Sequence, residues 1–219
     1  MMTTCGAYIL AGGRSSRFGS DKARAVLDGC TLIERLASQV AQWGFPVTVV
    51  ADRAGKYEDL GLRTIVDLRA DAGPVGGLHA ALHDLSTQCH VDAGTAVLLL
   101  SCDLVVLKRH WVDRLFSALD QHAAAAFGEA DGRWQPIPGL FRPVCLPVVE
   151  EVVSRPDRGS RSMQSLLRLL DAAPVPHPDD WPAIAQANTP EELARAWESH
   201  SEAPQGSDQV PASRFPDTS

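Results

Sequence analysis

Between Leu10 and Lys22 the chain reads LAGGRSSRFGSDK, a run that mixes small residues with cations directly behind an apolar segment. Gly12 and Gly13 let the backbone approach a ligand closely and take dihedrals closed to other residues. Successive N–H groups in such a turn form an anion-binding concavity. Arg14, Arg17, Lys22 and Arg24 fall within eleven positions and are four of the twenty Lys and Arg in the chain. Ser15 and Ser16 add hydroxyl donors. Backbone donors joined to movable cations suit a triphosphate, whose charge shifts as a phosphoryl group is transferred. The run is not a P-loop, which needs GxxxxGK followed by Ser or Thr, nor a dinucleotide fingerprint, which needs GxGxxG. A plain loop with exposed arginines has the same composition, so the run alone leaves both readings open.

Asp103 is the second chemical candidate. It comes at the end of the strongest apolar run of the chain, Ala96 to Leu100, where a carboxylate emerges at the edge of a sheet. Mg²⁺ takes hard oxygen ligands, typically one or two carboxylates plus substrate phosphates. An acidic residue at this place also suits a helix N-cap. Cys102, beside it, has no adjacent base in sequence and reads as a small core residue. His79 and His83 are four apart on one helix face but lack a third ligand, which favours ordinary histidines.

These residues need elements to position them. Ala7 to Ala11 reads as a buried strand stopped by Gly12-Gly13. Thr31 to Trp43 has Leu32, Leu36, Val40 and Trp43 at helical spacing, with Thr31 as N-cap and Gly44 past its end. Val47 to Ala51 is a β-branched strand, and Thr64 to Val66 a weaker one. Val75 to Leu85 reads as a helix and Ala96 to Leu100 as the central strand. Further helices are expected over Trp111 to Leu119, Leu146 to Val153 and Ser162 to Leu170. Strands are expected over Ala123 to Phe127 and Pro136 to Phe141. The last helix starts at Thr189, where TPEEL supplies an N-cap, a proline at N1 and a glutamate at N3. Apolar strands alternating with helices predict a three-layer, Rossmann-like α/β fold with a mostly parallel central sheet covered on both faces. Ligands bind such sheets at the carboxyl ends of the strands.

Composition bounds the possibilities. The 219 residues suit one domain, expected over residues 1–198, followed by a polar, proline-rich tail, 199–219, too poor in apolar residues to order itself. The net charge of −7 argues against a nucleic-acid partner. Five cysteines without a CxxC pair argue against a disulfide framework or structural zinc, so reduced thiols in the cytoplasm are expected. The N-terminal residues have no basic region ahead of their short apolar run, so no signal peptide is expected. No apolar stretch approaches the roughly 20 residues of a membrane span.

The first run, LAGGRSSRFGSDKA, resembles the pattern LAGGxSxRMGxDKA of the molybdenum cofactor guanylyltransferases, within the nucleotide-diphospho-sugar-transferase-like superfamily. Further blocks resemble that family in the same order: Asp67 followed by GPVGGL at 73–78, LLLSCDL at 98–104, RGSRSMQSLL at 158–167 and ANTPEEL at 187–193. They span about the first 195 residues. The resemblance implies that Leu10, Ala11, Gly12 and Gly13 line the nucleotide. It implies that Lys22 stabilises charge at the transferred phosphorus and that Arg17 holds the outer phosphates. Asp67 and the Gly73-Pro74 turn would border the nucleoside, and Asp103 would bind Mg²⁺. Arg161 and Asn188 would lie on the acceptor side, where Trp134 is placed either to stack on a flat pterin or to cap the core.

The implied reaction joins GMP from GTP to molybdenum-bound molybdopterin and releases pyrophosphate, with a molybdoenzyme or other cofactor-biosynthesis proteins as further partners. The chain departs from the family pattern at Phe18, Val50, Val105 and Gln186. Val50, Val105 and Gln186 keep in play a non-catalytic relative that binds nucleotide or cofactor, and the alternatives of the same fold are a cytidylyltransferase for the same pterin and a sugar- or polyol-phosphate nucleotidyltransferase.

Overall fold

A computed structural model describes residues 5–12, 21–69, 72–128, 133–157, 159–182, 186–187 and 189–201. The first strand, β1 (Cys5–Leu10), leads through the 3-10 turn Lys22–Arg24 into a small hairpin, β2 (Val26–Leu27) and β3 (Cys30–Thr31). Asp28 and Gly29 turn this hairpin with φ of 50° and 79°, the paired positive values that a tight two-residue connection requires. Helix α1 (Leu32–Gln42) is started by a capping box, in which Glu34 N–H donates to Thr31 Oγ1 and Thr31 N–H donates to the Glu34 carboxylate. Its Leu32, Ile33, Leu36, Ala37 and Val40 form the buried stripe.

The chain continues through β4 (Val47–Ala51), β5 (Thr64–Val66), α2 (Gly73–Gln88), β6 (Ala96–Ser101), α3 (Arg109–Ala118), β7 (Ala124–Gly128) and β8 (Trp134–Phe141). Then come α4 (Leu146–Ser154), α5 (Met163–Leu169), β9 (Ala173–Val175) and α6 (Pro190–Ser201).

Seven strands form one sheet in the order β5-β4-β1-β6-β8-β7-β9. Every neighbouring pair is parallel except those made by β8, which runs against both β6 and β7. Ala96 through Leu100 are all fully buried. Successive strand side chains face opposite sides, so both faces of the sheet are covered, as the three-layer α/β expectation requires. Helices α1 and α2 pack on β1 and β4, α3 packs on β7 to β9, α5 on β8 and α4 on α2.

The far end of the sheet has its own aromatic core. Trp111 is fully buried, its Nε1–H donates to Asp180 at 2.8 Å, and its ring lies 4.7 Å from that of Trp181. Trp181 in turn lies 5.0 Å from Phe127. This cluster holds the segment after β9 against α3 and β7 and so fixes that side of the sheet.

Some features differ from the sequence expectation. The hairpin and β9 were not expected, and α2 begins at Gly73 rather than Val75. Helix α6 runs to Ser201, three residues into the segment 199–219 expected as a tail, and 202–219 lie outside the described residues. Among the described residues no helix is long and apolar enough to cross a membrane.

Candidate active site

Strand order reverses about β1, whose sequence neighbour β4 lies on one side and β6 on the other. Crevices at such switch points lie beyond the carboxyl ends of the strands. The strand ends are in step there: Leu10 pairs with both Val50 and Ser101. Beyond them Ala11 N–H donates to Val50 O at 2.9 Å, Cys102 N–H to Leu10 O at 3.0 Å, and Asp67 N–H to Ala51 O at 3.0 Å. Leu10, Ala11, Gly12, Asp67 and Asp103 therefore share one edge of the sheet.

Lys22 reaches the same edge from outside the sheet. Asp21 caps its short 3-10 turn by accepting Ala23 N–H at 3.2 Å. Lys22 is buried, and its Nζ lies 3.2 Å from Asp103 Oδ2. The other oxygen, Asp103 Oδ1, is buried and has no hydrogen-bond partner among the described residues. An orphaned carboxylate oxygen is costly unless something else approaches it. Cys102 does not offer a nucleophile beside this pair: burial, then the Asp103 charge, push its thiol up to about 12.

Helix α2 forms a wall of the edge. Gly73 opens it with φ of 64°, and Pro74 occupies its first turn. A Cβ on Gly77 would stand 2.5 Å from Leu10 Cδ2, and one on Gly76 would stand 2.7 Å from Ala72 Cβ and 2.8 Å from Asp67 Oδ1. The two glycines let the helix backbone press against Leu10 and Asp67. Asp67 accepts Arg69 N–H at 3.0 Å. Its carboxyl is held above the usual carboxylate range because it is half-buried, and the Arg69 amide only partly offsets this.

The opposite side is built from β8 and the segment before α6. Ala187 N–H donates to Asp103 O at 3.0 Å, and Gln186 forms a bridge with Leu104. Gln186 Nε2 donates to Ile137 O at 3.4 Å, an oxygen also reached by Gln135 Nε2 at 3.0 Å. Trp134 stands at the start of β8, its main chain clamped at both ends by the Gln164 amide of α5. Its indole covers Gly128, where a Cβ would stand 2.8 Å from the ring. Arg161 is turned onto its own loop, with Nε donating to Asp157 O at 3.3 Å.

The sequence-predicted residues thus divide. Lys22, Asp103, Leu10, Ala11, Gly12, Asp67, Gly73 and Pro74 gather about the ends of β1, β5 and β6. Arg161 is seen in contact with Asp157 of its own loop. Gly13, Arg17 and Asn188 lie outside the described residues. Sequence reasoning passed over Gly76, Gly77, Asp21, Lys56 and Tyr57. A glycine pair inside a helix is a readable sign of close approach, since each costs about 1 kcal/mol against alanine. Tyr57 carries no such sign.

The pattern of the MobA-like NTP transferase domain family matches residues 7–175, which run from within β1 to the end of β9 and include both Lys22 and Asp103. The chain belongs to that family. The sequence is 34% identical over 194 residues to a molybdenum cofactor guanylyltransferase of Rhizobium leguminosarum bv. trifolii, covering 86% of this chain and 89% of the relative. A probable molybdenum cofactor guanylyltransferase of Nostoc sp. is 32% identical over 201 residues, covering 88% and 90%.

The same fold is found in the crystal structure of molybdopterin-guanine dinucleotide biosynthesis protein A from Archaeoglobus fulgidus. The TM-score is 0.72 at 21% identity, over 90% of this chain and 98% of that one. The family's domain makes this chain a nucleotidyltransferase.

Proposed function

We propose that the chain transfers GMP from GTP to molybdenum-bound molybdopterin, forming the guanine dinucleotide cofactor and pyrophosphate. The observation that carries this reading is the contact of Lys22 with Asp103 at the joined carboxyl ends of β1 and β6, in a chain whose curated relatives bear that activity in their names. An oxygen of the acceptor phosphate attacks the α-phosphorus of GTP, the bond from that phosphorus to the β-bridging oxygen breaks, and pyrophosphate leaves with the electron pair. The acceptor phosphate is already an anion near neutral pH, so positioning and charge stabilisation suffice without a strong base.

In this reading Leu10, Ala11, Gly12 and Gly13 line the nucleotide, and Asp67 with the Gly73-Pro74 turn borders the guanine nucleoside. Lys22 stabilises charge at the α-phosphorus, and Arg17 holds the outer phosphates. Trp134, Arg161 and Asn188 face the acceptor. Asp103 is the residue to hold Mg²⁺: its Oδ1 accepts no hydrogen bond from the described residues, and Mg²⁺ needs only one or two carboxylates when phosphates complete its shell. That economy matters, because among the described residues no group of three or more His, Cys, Asp or Glu is placed to hold a metal. Bound there, Mg²⁺ would supply neutralisation of phosphate charge. The cofactor product would pass in the cytoplasm to a molybdoenzyme or to another cofactor-biosynthesis protein.

Thermal unfolding with each of the four NTPs and Mg²⁺, followed by pyrophosphate release with the pterin acceptor, tests the proposal. GTP is expected to raise the midpoint most, since a ligand stabilises in proportion to its binding. Greater stabilisation by CTP would indicate a cytidylyltransferase instead. Nucleotide binding without pyrophosphate release would indicate a non-catalytic carrier.

A further inference from the structure

Tyr57 has no part in the roles above, yet it touches both ends of the cation-rich run. Its side chain is fully buried. Its hydroxyl stands 3.0 Å and 3.2 Å from the two oxygens of Asp21 and 3.4 Å from Ala11 O. Ala11 follows β1, and Asp21 caps the turn that carries Lys22. A phenol has one hydrogen, and the shortest separation directs it to Asp21. Burial, reinforced by the Asp21 charge, pushes the phenol's pKa up, so it remains a donor through ordinary pH. Lys56 completes the arrangement, its Nζ 3.3 Å from Asp21 Oδ2 and 5.4 Å from the Tyr57 ring centroid.

A buried ring that merely filled space would be served as well by phenylalanine. Here the hydroxyl is spent on the residue that caps the Lys22 turn, 36 residues away in sequence. We propose that Tyr57 is a positioning residue, which through Asp21 fixes Lys22 against Asp103 and so sets the cation for the triphosphate. The proposal rests on the nucleotidyltransferase reading but not on the identity of the base.

The test is a double-mutant cycle. Wild type, Tyr57→Phe, Lys22→Ala and the double variant are titrated calorimetrically with each of the four NTPs in Mg²⁺, and thermal unfolding is recorded for each. Tyr57→Phe is expected to lower affinity roughly tenfold for whichever NTP the wild type binds best, as suits a lost bond to a charged group. In the Lys22→Ala background the same change is expected to cost less than about twofold, because the residue it acts through is gone. Asp21→Asn is expected to match Tyr57→Phe and carries the comparison should Tyr57→Phe fail to fold. Equal losses in both backgrounds, or no loss in the wild type, would overturn the proposal. Preference for another base would count against GTP and leave the Tyr57 result standing, whereas no binding of any NTP would overturn both.

Discussion

Lys22 and Asp103, 81 residues apart in sequence, meet at 3.2 Å where the first and central strands of the sheet end together. With 11% and 19% of their side chains exposed, the pair is sheltered without being sealed. Under the proposed function a phosphate entering the crevice would meet a cation already oriented by a carboxylate, whose second oxygen has no hydrogen-bond partner among the described residues.

Asp103→Ala is expected to abolish pyrophosphate release from GTP and acceptor. Lys22→Ala is expected to slow it by roughly 10²- to 10³-fold, the range seen when one fixed donor to a developing charge is removed. Single-turnover assays decide the matter. Unchanged turnover in Asp103→Ala would remove the carboxylate from the mechanism.

The glycines of α2 make a graded prediction. Alanine in a helix gains about 1 kcal/mol over glycine, and overpacking costs about 1–3 kcal/mol. At Gly77 the clashing atom is the tip of Leu10, which is able to swing aside, so Gly77→Ala is expected to leave the unfolding midpoint nearly unchanged while displacing Leu10. At Gly76 the obstacle is Ala72 Cβ, which moves only with its backbone, and the Asp67 carboxylate. Gly76→Ala is therefore expected to lower both the midpoint and GTP affinity. A Gly76→Ala variant as stable as the wild type would contradict this packing argument.

Asp67 predicts a pH dependence of binding. The ionised carboxylate offers both oxygens as charged acceptors to the N–H donors of a base, whereas protonation turns one of them into a donor and removes the charge, and burial holds this carboxyl above its usual range. Affinity for GTP is expected to fall as pH drops toward that raised value, at a pH higher than the roughly 3.9 of an ordinary aspartate. Asp67→Asn is expected to bind more weakly at neutral pH and to show a flatter profile by calorimetry.

Acid stability has a different origin. Burial alone would raise the Asp84 carboxyl, but hydrogen bonds from Arg63 and Tyr8 outweigh it and hold the group below its ordinary range. A lowered carboxylate pKa contributes stability that is complete above the unfolded value, about 3.9, and is lost as pH falls through the folded one. Asp84→Asn is expected to lower the unfolding midpoint at pH 7 and to reduce its further fall below about pH 4. Parallel midpoint-against-pH curves for the two proteins would exclude this contribution.

On the acceptor side, Trp134→Leu is expected to raise KM for the pterin several-fold while leaving KM for GTP unchanged. A split of this kind marks a group used in binding one substrate only. Equal changes in both would assign the indole to packing.

Local signals carried much of this arrangement. Strand β4 occupies the five β-branched and small residues expected of it, and the Thr31 capping box sets the start of α1. Leu10, Ala11, Gly12 and Asp103 were legible as one edge of the sheet because glycine stops a strand and an acidic residue follows the central apolar one, although an exposed loop and a helix N-cap are competing uses of the same residues. Strand β9 was not readable: its three residues, two of them buried, are ordered by pairing with β7, a contact nearly fifty residues distant. Tyr57 was hidden for the same reason, since a tyrosine between two loops signifies nothing until the fold brings Ala11 and Asp21 to its hydroxyl. Arg161 was named by motif alone, and its Nε bonds to Asp157 O.

The lone reversed strand, β8, has a bearing on how such a protein diversifies. Because it runs backward, it delivers its opening residues, Trp134 and Gln135, to the edge where its neighbours deliver their closing ones. Under the proposed function, donor and acceptor recognition would then be written in separate stretches of chain, one before Asp103 and one after it. A lineage would be free to rewrite the second half for a new recipient molecule while the first half went on handling the same nucleotide.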